Sequence, residues 1–124
     1  MSKELCGELV VRCFQARNDA HIAHLMTKSY AAHKALNEFY DGIIGLADSF
    51  AESAQGRYGI LTYPEKQMRH MKVSYGDPQS IPDGLRDWID EHREECTEYS
   101  ELQNVIDEIV SLCNETVYKL ENLH

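Results

Sequence analysis

Apolar residues recur at helical spacing along residues 30–56, and this pattern constrains the fold of the chain more than any other feature. Side chains three or four positions apart lie on one face of an α-helix, because each residue turns the helix by about 100°. The apolar face consists of Leu36, Phe39, Tyr40, Ile43, Leu46, Ala47 and Phe50. Such a face has to be buried, so this segment predicts a helix packed against other helices.

Three further segments carry the same periodicity and predict helices over about residues 3–28, 82–96 and 100–123. The third helix, over residues 82–96, is the shortest and has Pro82 in its first turn. No segment alternates apolar and polar residues as a half-buried strand does. A chain of 124 residues is expected to form one domain. We therefore predict an all-α fold, a single four-helix bundle spanning residues 1–124.

The connections between these helices differ greatly in length. A break of a few residues around 27–30 predicts that the first two helices form an antiparallel hairpin. Residues 57–80 form a long connection that contains Pro64, Gly76 and Pro78, with a short helix predicted over residues 65–71. Because a hairpin returns the chain to its starting end, this connection is expected to cross over along the bundle to the third helix.

Composition narrows the classes of protein to which the chain can belong. The net charge of −9 argues against non-specific binding of DNA, which we do not expect. No apolar run approaches the roughly 20 residues that span a membrane. The segment that follows Met1 lacks a signal-peptide pattern, so we expect a cytoplasmic protein. The cysteines lack zinc-type spacing and lie at core positions, where buried free thiols are expected. They are Cys6, Cys13, Cys96 and Cys113.

A polar stripe borders the apolar face of the second predicted helix. His33, Asn37, Asp41, Asp48 and Glu52 fall within an arc of about 100° on a helical wheel. Nitrogen and oxygen ligands of this kind hold divalent metals such as iron or zinc. Carboxylates on the polar side of a helix are often only solvated, and that interpretation stays open beside the metal hypothesis.

Two histidines near the end of the first predicted helix point toward its apolar side. His21 and His24 lie three residues apart, and the hairpin brings them close to His33. An inward histidine is most often a hydrogen-bonded core residue, but two of them facing inward three residues apart make a role as metal ligands a second hypothesis. Both interpretations, core residue and ligand, stay open.

Residues 20–59 resemble the ferritin-like Dps-type mini-ferritins. His33, Asp48 and Glu52 match the second-helix part of that family's iron-site pattern in type and spacing. His21 keeps the family's separation from His33, whereas His24 keeps its place relative to the helix end, so either is a candidate ligand. The resemblance implies a ferritin-like bundle and a homo-oligomer, at least a dimer. It also implies an iron site at a two-fold interface, with ferroxidase activity and zinc as a substitute metal.

The chain also departs from the mini-ferritin pattern. Asn37 replaces an early carboxylate, and an amide is a poorer ligand for a hard cation. Ile22 or Leu25, instead of tryptophan, follows the first histidine. The short third helix argues against a closed shell, and the basic tail that binds DNA in the family has no counterpart. The segment from His24 onward also resembles small uncharacterised phage and bacterial proteins, a resemblance that implies no activity.

A second hypothesis places function in the long connection. Arg57, Lys66, Arg69 and Lys72 form a basic patch there that suits a small anionic ligand or a protein partner. In this interpretation the protein is a non-catalytic oligomeric bundle. The tyrosines of the same segment are expected to cover the bundle, although stacking on a base is the alternative; they are Tyr58, Tyr63 and Tyr75.

Overall fold

Four helices form the computed structural model, which describes residues 2–65 and 73–124. They are α1 (Ser2–Met26), α2 (Tyr30–Tyr58), α3 (Ser80–Cys96) and α4 (Ser100–Asn122). Within the described ranges, extended pairing is limited to one isolated bridge between Ser74 and Asp77. The predicted four-helix bundle is confirmed, and every helix end lies within two residues of its predicted position.

A turn of residues 27–29 joins α1 to α2. Ser29 caps the N-terminus of α2, because its hydroxyl accepts a hydrogen bond from the backbone N–H of Ala32 at 3.2 Å. The hydroxyl of Thr27 accepts a hydrogen bond from the backbone N–H of Ser29, also at 3.2 Å. These local bonds hold a tight turn, so α1 and α2 pack as the predicted antiparallel hairpin.

The second helix ends at a glycine with a left-handed backbone. Gly59 has φ of 83°, a region that favours glycine, and its N–H donates to the carbonyl of Gln55 at 2.9 Å. Gly56, at which the sequence predicted the end, remains helical. The helix therefore extends two residues further, and the end is set by backbone conformation rather than by the first glycine.

Ion pairs and one thiol contact define how the helices run. Lys119 near the end of α4 pairs with Glu38 near the start of α2, and Arg57 pairs with Glu101 at the opposite ends. The thiol of Cys6 in α1 donates to the carbonyl of Cys96, the last residue of α3, at 3.4 Å. Thus α1 and α4 run in one direction while α2 and α3 run in the other. The end of α2 and the start of α3 therefore lie at opposite ends of the bundle, as the predicted crossover requires.

The crossover approaches α1 closely near its start. A Cβ atom added at Gly7 would collide with the carbonyl oxygen of Thr62, so only glycine allows this approach. Tyr58, Tyr63 and Tyr75 each hydrogen-bond through the hydroxyl to a residue of a helix or helix turn. The short helix predicted over residues 65–71 falls outside the described residues, apart from Glu65.

The core lies along the bundle axis and is continuous from α1 to α4. Its largest fully buried side chains come from all four helices: Leu9, Leu36, Phe39, Ile43, Phe50, Ile81, Leu85, Ile89, Leu102, Ile106 and Ile109. All four cysteines are buried and free, as predicted. Burial also raises the pKa of the Cys113 thiol to about 12, so this thiol stays protonated. In the described residues no helix is both long and apolar enough to cross a membrane.

A candidate metal site at the helical hairpin

The hairpin gathers three histidines and a tyrosine at one end of the bundle. The rings of His24 and His33 stack with centroids 3.6 Å apart and planes at 20°. His21 meets the edge of His24 at 5.9 Å and stacks on Tyr40 at 4.2 Å. The sequence prediction that the first-helix histidines lie near His33 is confirmed for His24, while His21 contacts His24 and Tyr40.

His24 and His33 exchange hydrogen bonds with each other's backbone. Nδ1 of His24 lies 2.7 Å from the carbonyl oxygen of His33, and Nδ1 of His33 lies 2.9 Å from that of His24. Because a carbonyl oxygen only accepts, each Nδ1 carries a hydrogen. In the neutral ring the free lone pair is then on Nε2, and a carbonyl partner at the other nitrogen is typical of metal-binding histidines.

The three histidines differ in what their nitrogens can do. His24 is buried, at 7% exposure, whereas His21 and His33 are half-buried. In the described part of the chain neither ring nitrogen of His21 has a hydrogen-bond partner, and the ring packs against His24 and Tyr40. The rings of His24 and His33 are nearly parallel, so their Nε2 lone pairs do not converge on one ion. His24 is therefore placed to position the ring of His33, through the stack and the reciprocal hydrogen bonds.

Asn37 forms hydrogen bonds with two neighbouring side chains on α2. Its amide oxygen accepts a hydrogen bond from the hydroxyl of Tyr40 at 2.7 Å, and its amide nitrogen donates to Asp41 at 2.9 Å. Since Tyr40 also stacks on His21, this chain of contacts links Asn37 to the histidine cluster. The structure therefore places Asn37 beside the site, with both of its polar atoms in use.

Asp48 and Glu52 lie on the same face of α2 but far from the histidines. From His33 to Asp48 the helix axis advances about 22 Å, at about 1.5 Å per residue. Both carboxylates are exposed, and neither makes a hydrogen bond or ion pair with another described residue. Accordingly, residues 2–65 and 73–124 contain no group of three or more His, Cys, Asp or Glu side chains placed to hold a metal. One chain alone cannot bring the predicted ligands to one ion.

The basic patch of the alternative hypothesis is only partly described. Arg57 pairs with Glu101 at 2.6 Å and lies over the ring of Tyr99 at 4.0 Å, so its charge is already matched within the chain. Lys66, Arg69 and Lys72 lie outside the described residues. No contact of the described residues therefore favours the anion-binding hypothesis.

Beside the histidine cluster lies a groove that the sequence did not predict. This groove between α1 and α2 has a volume of about 430 Å³. It is lined by Phe14, Arg17, Asn18, Tyr40, Asp41 and Ile44. Asp41 belongs to the polar stripe, but Arg17 and Ile44 belong to no sequence motif that would have marked them as functional. A groove of this kind becomes visible only once the two helices are paired.

Comparison with known proteins assigns a family. Residues 24–120 match the family of unknown function DUF5856, and because this match spans most of the chain, the chain belongs to that family. No curated protein matches the chain, and no solved structure matches it. The matched region begins at His24 and includes His33, Asn37, Asp48 and Glu52.

Proposed function

We propose that the chain is one subunit of a ferritin-like homo-oligomer that binds and oxidises ferrous iron at a site shared between two copies. The proposal rests on one observation: the candidate nitrogen ligands and the candidate carboxylate ligands lie at different positions along α2. Open histidine nitrogens lie at one end, and the unpaired carboxylates of Asp48 and Glu52 lie about 22 Å away on the same face. A second copy in antiparallel orientation would bring the two halves of the set together.

In this proposal His21 and the Nε2 atom of His33 bind iron from one subunit, and Asp48 and Glu52 bind it from the other. Imidazole and carboxylate ligands together suit ferrous iron, and zinc is the expected substitute metal. His24 holds the ring of His33 by stacking and by the reciprocal hydrogen bonds. Asn37 contributes through Tyr40 and Asp41 rather than as a strong ligand.

Charge supports the proposed reaction in two ways. Carboxylates stabilise the ferric product over the ferrous substrate, because the product carries more positive charge. The net charge of −9 raises the local concentration of cations around the protein. Iron is the substrate here, and its electron passes to an external oxidant, peroxide or oxygen.

The test is iron binding by untagged protein, measured by elemental analysis after anaerobic ferrous loading. Asp48→Ala/Glu52→Ala should lose the stoichiometric metal and the subsequent oxidation, with helical circular dichroism unchanged. Asp87→Ala/Glu91→Ala is the matched control, since α3 also carries an exposed aspartate and glutamate four residues apart. Metal content that is equal in the two double variants would refute the site.

A further inference from the structure

Arg17 and Asp41 face the groove between α1 and α2 with opposite charges that are not paired in the described part of the chain. Arg17 donates to the amide oxygen of Asn18 at 3.1 Å and lies 5.8 Å from the ring centroid of Tyr40. Asp41 accepts its hydrogen bond from the amide of Asn37. A surface that presents a cation beside an anion is self-complementary under a two-fold rotation.

The neighbouring surface of α2 would also allow another helix to approach its backbone closely. Gly45 lies in the middle of the 29-residue helix, and a Cβ atom there would meet nothing within 4 Å. Glycine is unfavourable inside a helix relative to alanine, and no described contact of this chain requires it at position 45. Without a Cβ, the backbone can be approached closely by a second helix. Ile44 beside it is 37% exposed, an apolar side chain with room for a partner.

We propose that a second copy of this chain occupies the groove, with α2 packed antiparallel against α2 of that copy and Arg17 of each copy paired with Asp41 of the other. The proposal names the partner contact of the shared iron site and rests in part on the proposed function. The charge complementarity and the exposed surface of Gly45 and Ile44 support it independently of any metal.

The register of the two α2 helices follows from the position of the groove. Residue 50 lies midway between Asp48 and Glu52, and the midpoint between residues 33 and 50 falls at residues 41–42. A two-fold axis between residues 41 and 42 therefore sets His33 level with the two carboxylates of the other copy, to within about 3 Å of axial offset. The groove lies at this same level, because Tyr40, Asp41 and Ile44 line it.

Sedimentation velocity on single charge reversals tests this contact. Arg17→Asp places two acidic groups at each contact, and Asp41→Arg places two basic groups there. We expect each reversal to weaken self-association roughly tenfold or more, since like charges at an interface are strongly unfavourable. An equimolar mixture should associate again, because each contact of the mixed pair then joins opposite charges. A contact within one chain would not be restored by mixing.

A second variant tests the same surface without changing its charge. Gly45→Gln adds a side chain where the chain itself has room, so we expect normal helical circular dichroism together with weakened association. Association of the parent, its loss in the variants and its return in the mixture support the proposal. A parent protein that is monomeric would overturn the proposal, because the groove would then belong to another occupant. A mixture of the two charge reversals that stays monomeric would overturn it as well.

Ferrous loading of the same samples separates this inference from the proposed function. A parent that self-associates through Arg17 and Asp41 but binds no iron would uphold the interface and refute the iron site. Stoichiometric iron that persists in both charge reversals, with association unchanged, would refute the interface and leave the iron site standing.

Discussion

His24 and His33 bind each other across the α1–α2 turn, because the Nδ1 atom of each ring donates to the backbone carbonyl of the other residue. The carbonyl of His24 lies in the last turn of α1, where carbonyl groups have no partner within the helix. His33 thus satisfies the end of α1 with its side chain, while His24 orients the ring of His33. The hairpin and the candidate ligand are held by the same pair of bonds.

The loss of His24 should therefore destabilise the bundle. Replacing this buried ring by alanine removes a hydrogen bond and a stacked contact and leaves a cavity. We expect His24→Ala to lower the free energy of unfolding by about 2–3 kcal/mol. Urea denaturation followed by circular dichroism measures the change.

His92→Ala is the control for this experiment. His92 also stacks on an aromatic ring, that of Trp88, and its Nδ1 contacts the carbonyl of Trp88, but it is half-buried and acts within one helix. His92→Ala should therefore lower the free energy of unfolding less than His24→Ala does. Equal losses in the two variants would show that the bonds across the hairpin add nothing to stability.

Two glycine substitutions should change stability in opposite directions. At Gly7 a methyl group collides with the backbone of Thr62, and a backbone atom cannot move aside as the end of a flexible side chain does. Gly7→Ala should lower the free energy of unfolding by about 1–3 kcal/mol. Gly56 is helical with open space around it, so Gly56→Ala should raise that free energy by about 0.5 kcal/mol. Thermal unfolding of the pair measures both, and a Gly7→Ala protein as stable as the parent would contradict the close approach.

The fold was predictable from local patterns because each helix carries its own apolar face. Residues such as Leu36, Ile43 and Phe50 repeat at helical spacing, and burial of that face is required wherever the helix lies. The end of α2 was misplaced by two residues, since Gly56 and Gly59 look alike in sequence and only Gly59 has a positive φ.

The candidate site was predictable only in part. Spacing along one helix identified His33, Asp48 and Glu52 as residues of one face, but not the reciprocal bonds of His24, which depend on how two helices meet.

The buried side chain of Arg12 was not predicted either, because its surroundings also depend on how two helices meet. It pairs with Glu8 in its own helix but lies 4.9 Å from the ring of Trp88 in α3.

Acid should selectively weaken the contact between α2 and α4. Hydrogen bonds from Lys119 and Arg57 lower the pKa of Glu38 and Glu101, respectively, below the ordinary glutamate value. A carboxyl with a lower pKa in the folded state stabilises the fold at neutral pH. That contribution is lost as the pH falls through the ordinary glutamate range to the lowered values. The effect is modest, because these pairs are exposed and are screened by salt.

Glu38→Gln/Glu101→Gln should thus unfold at a lower temperature than the parent at neutral pH and at the same temperature in strong acid. Glu115→Gln/Glu121→Gln controls for the loss of two negative charges, since both glutamates are exposed on α4 and make no ion pair within the described ranges. A difference between parent and double variant that does not depend on pH would contradict the role of the two pairs.

The roles of the three histidines can be separated by calorimetric titration with zinc, which substitutes for ferrous iron without being oxidised. His21→Ala and His33→Ala should each abolish stoichiometric binding, because each removes a nitrogen ligand. His24→Ala should keep the stoichiometry and weaken the affinity about 10–100-fold, since it removes the residue that orients a ligand. His92→Ala should leave the titration unchanged, and helical circular dichroism at the titration temperature confirms that each variant is folded. If His24→Ala lost zinc binding while His21→Ala bound zinc normally, the roles of these two histidines would be exchanged. The ligand would then be His24, which is buried and lies at the start of the matched family region.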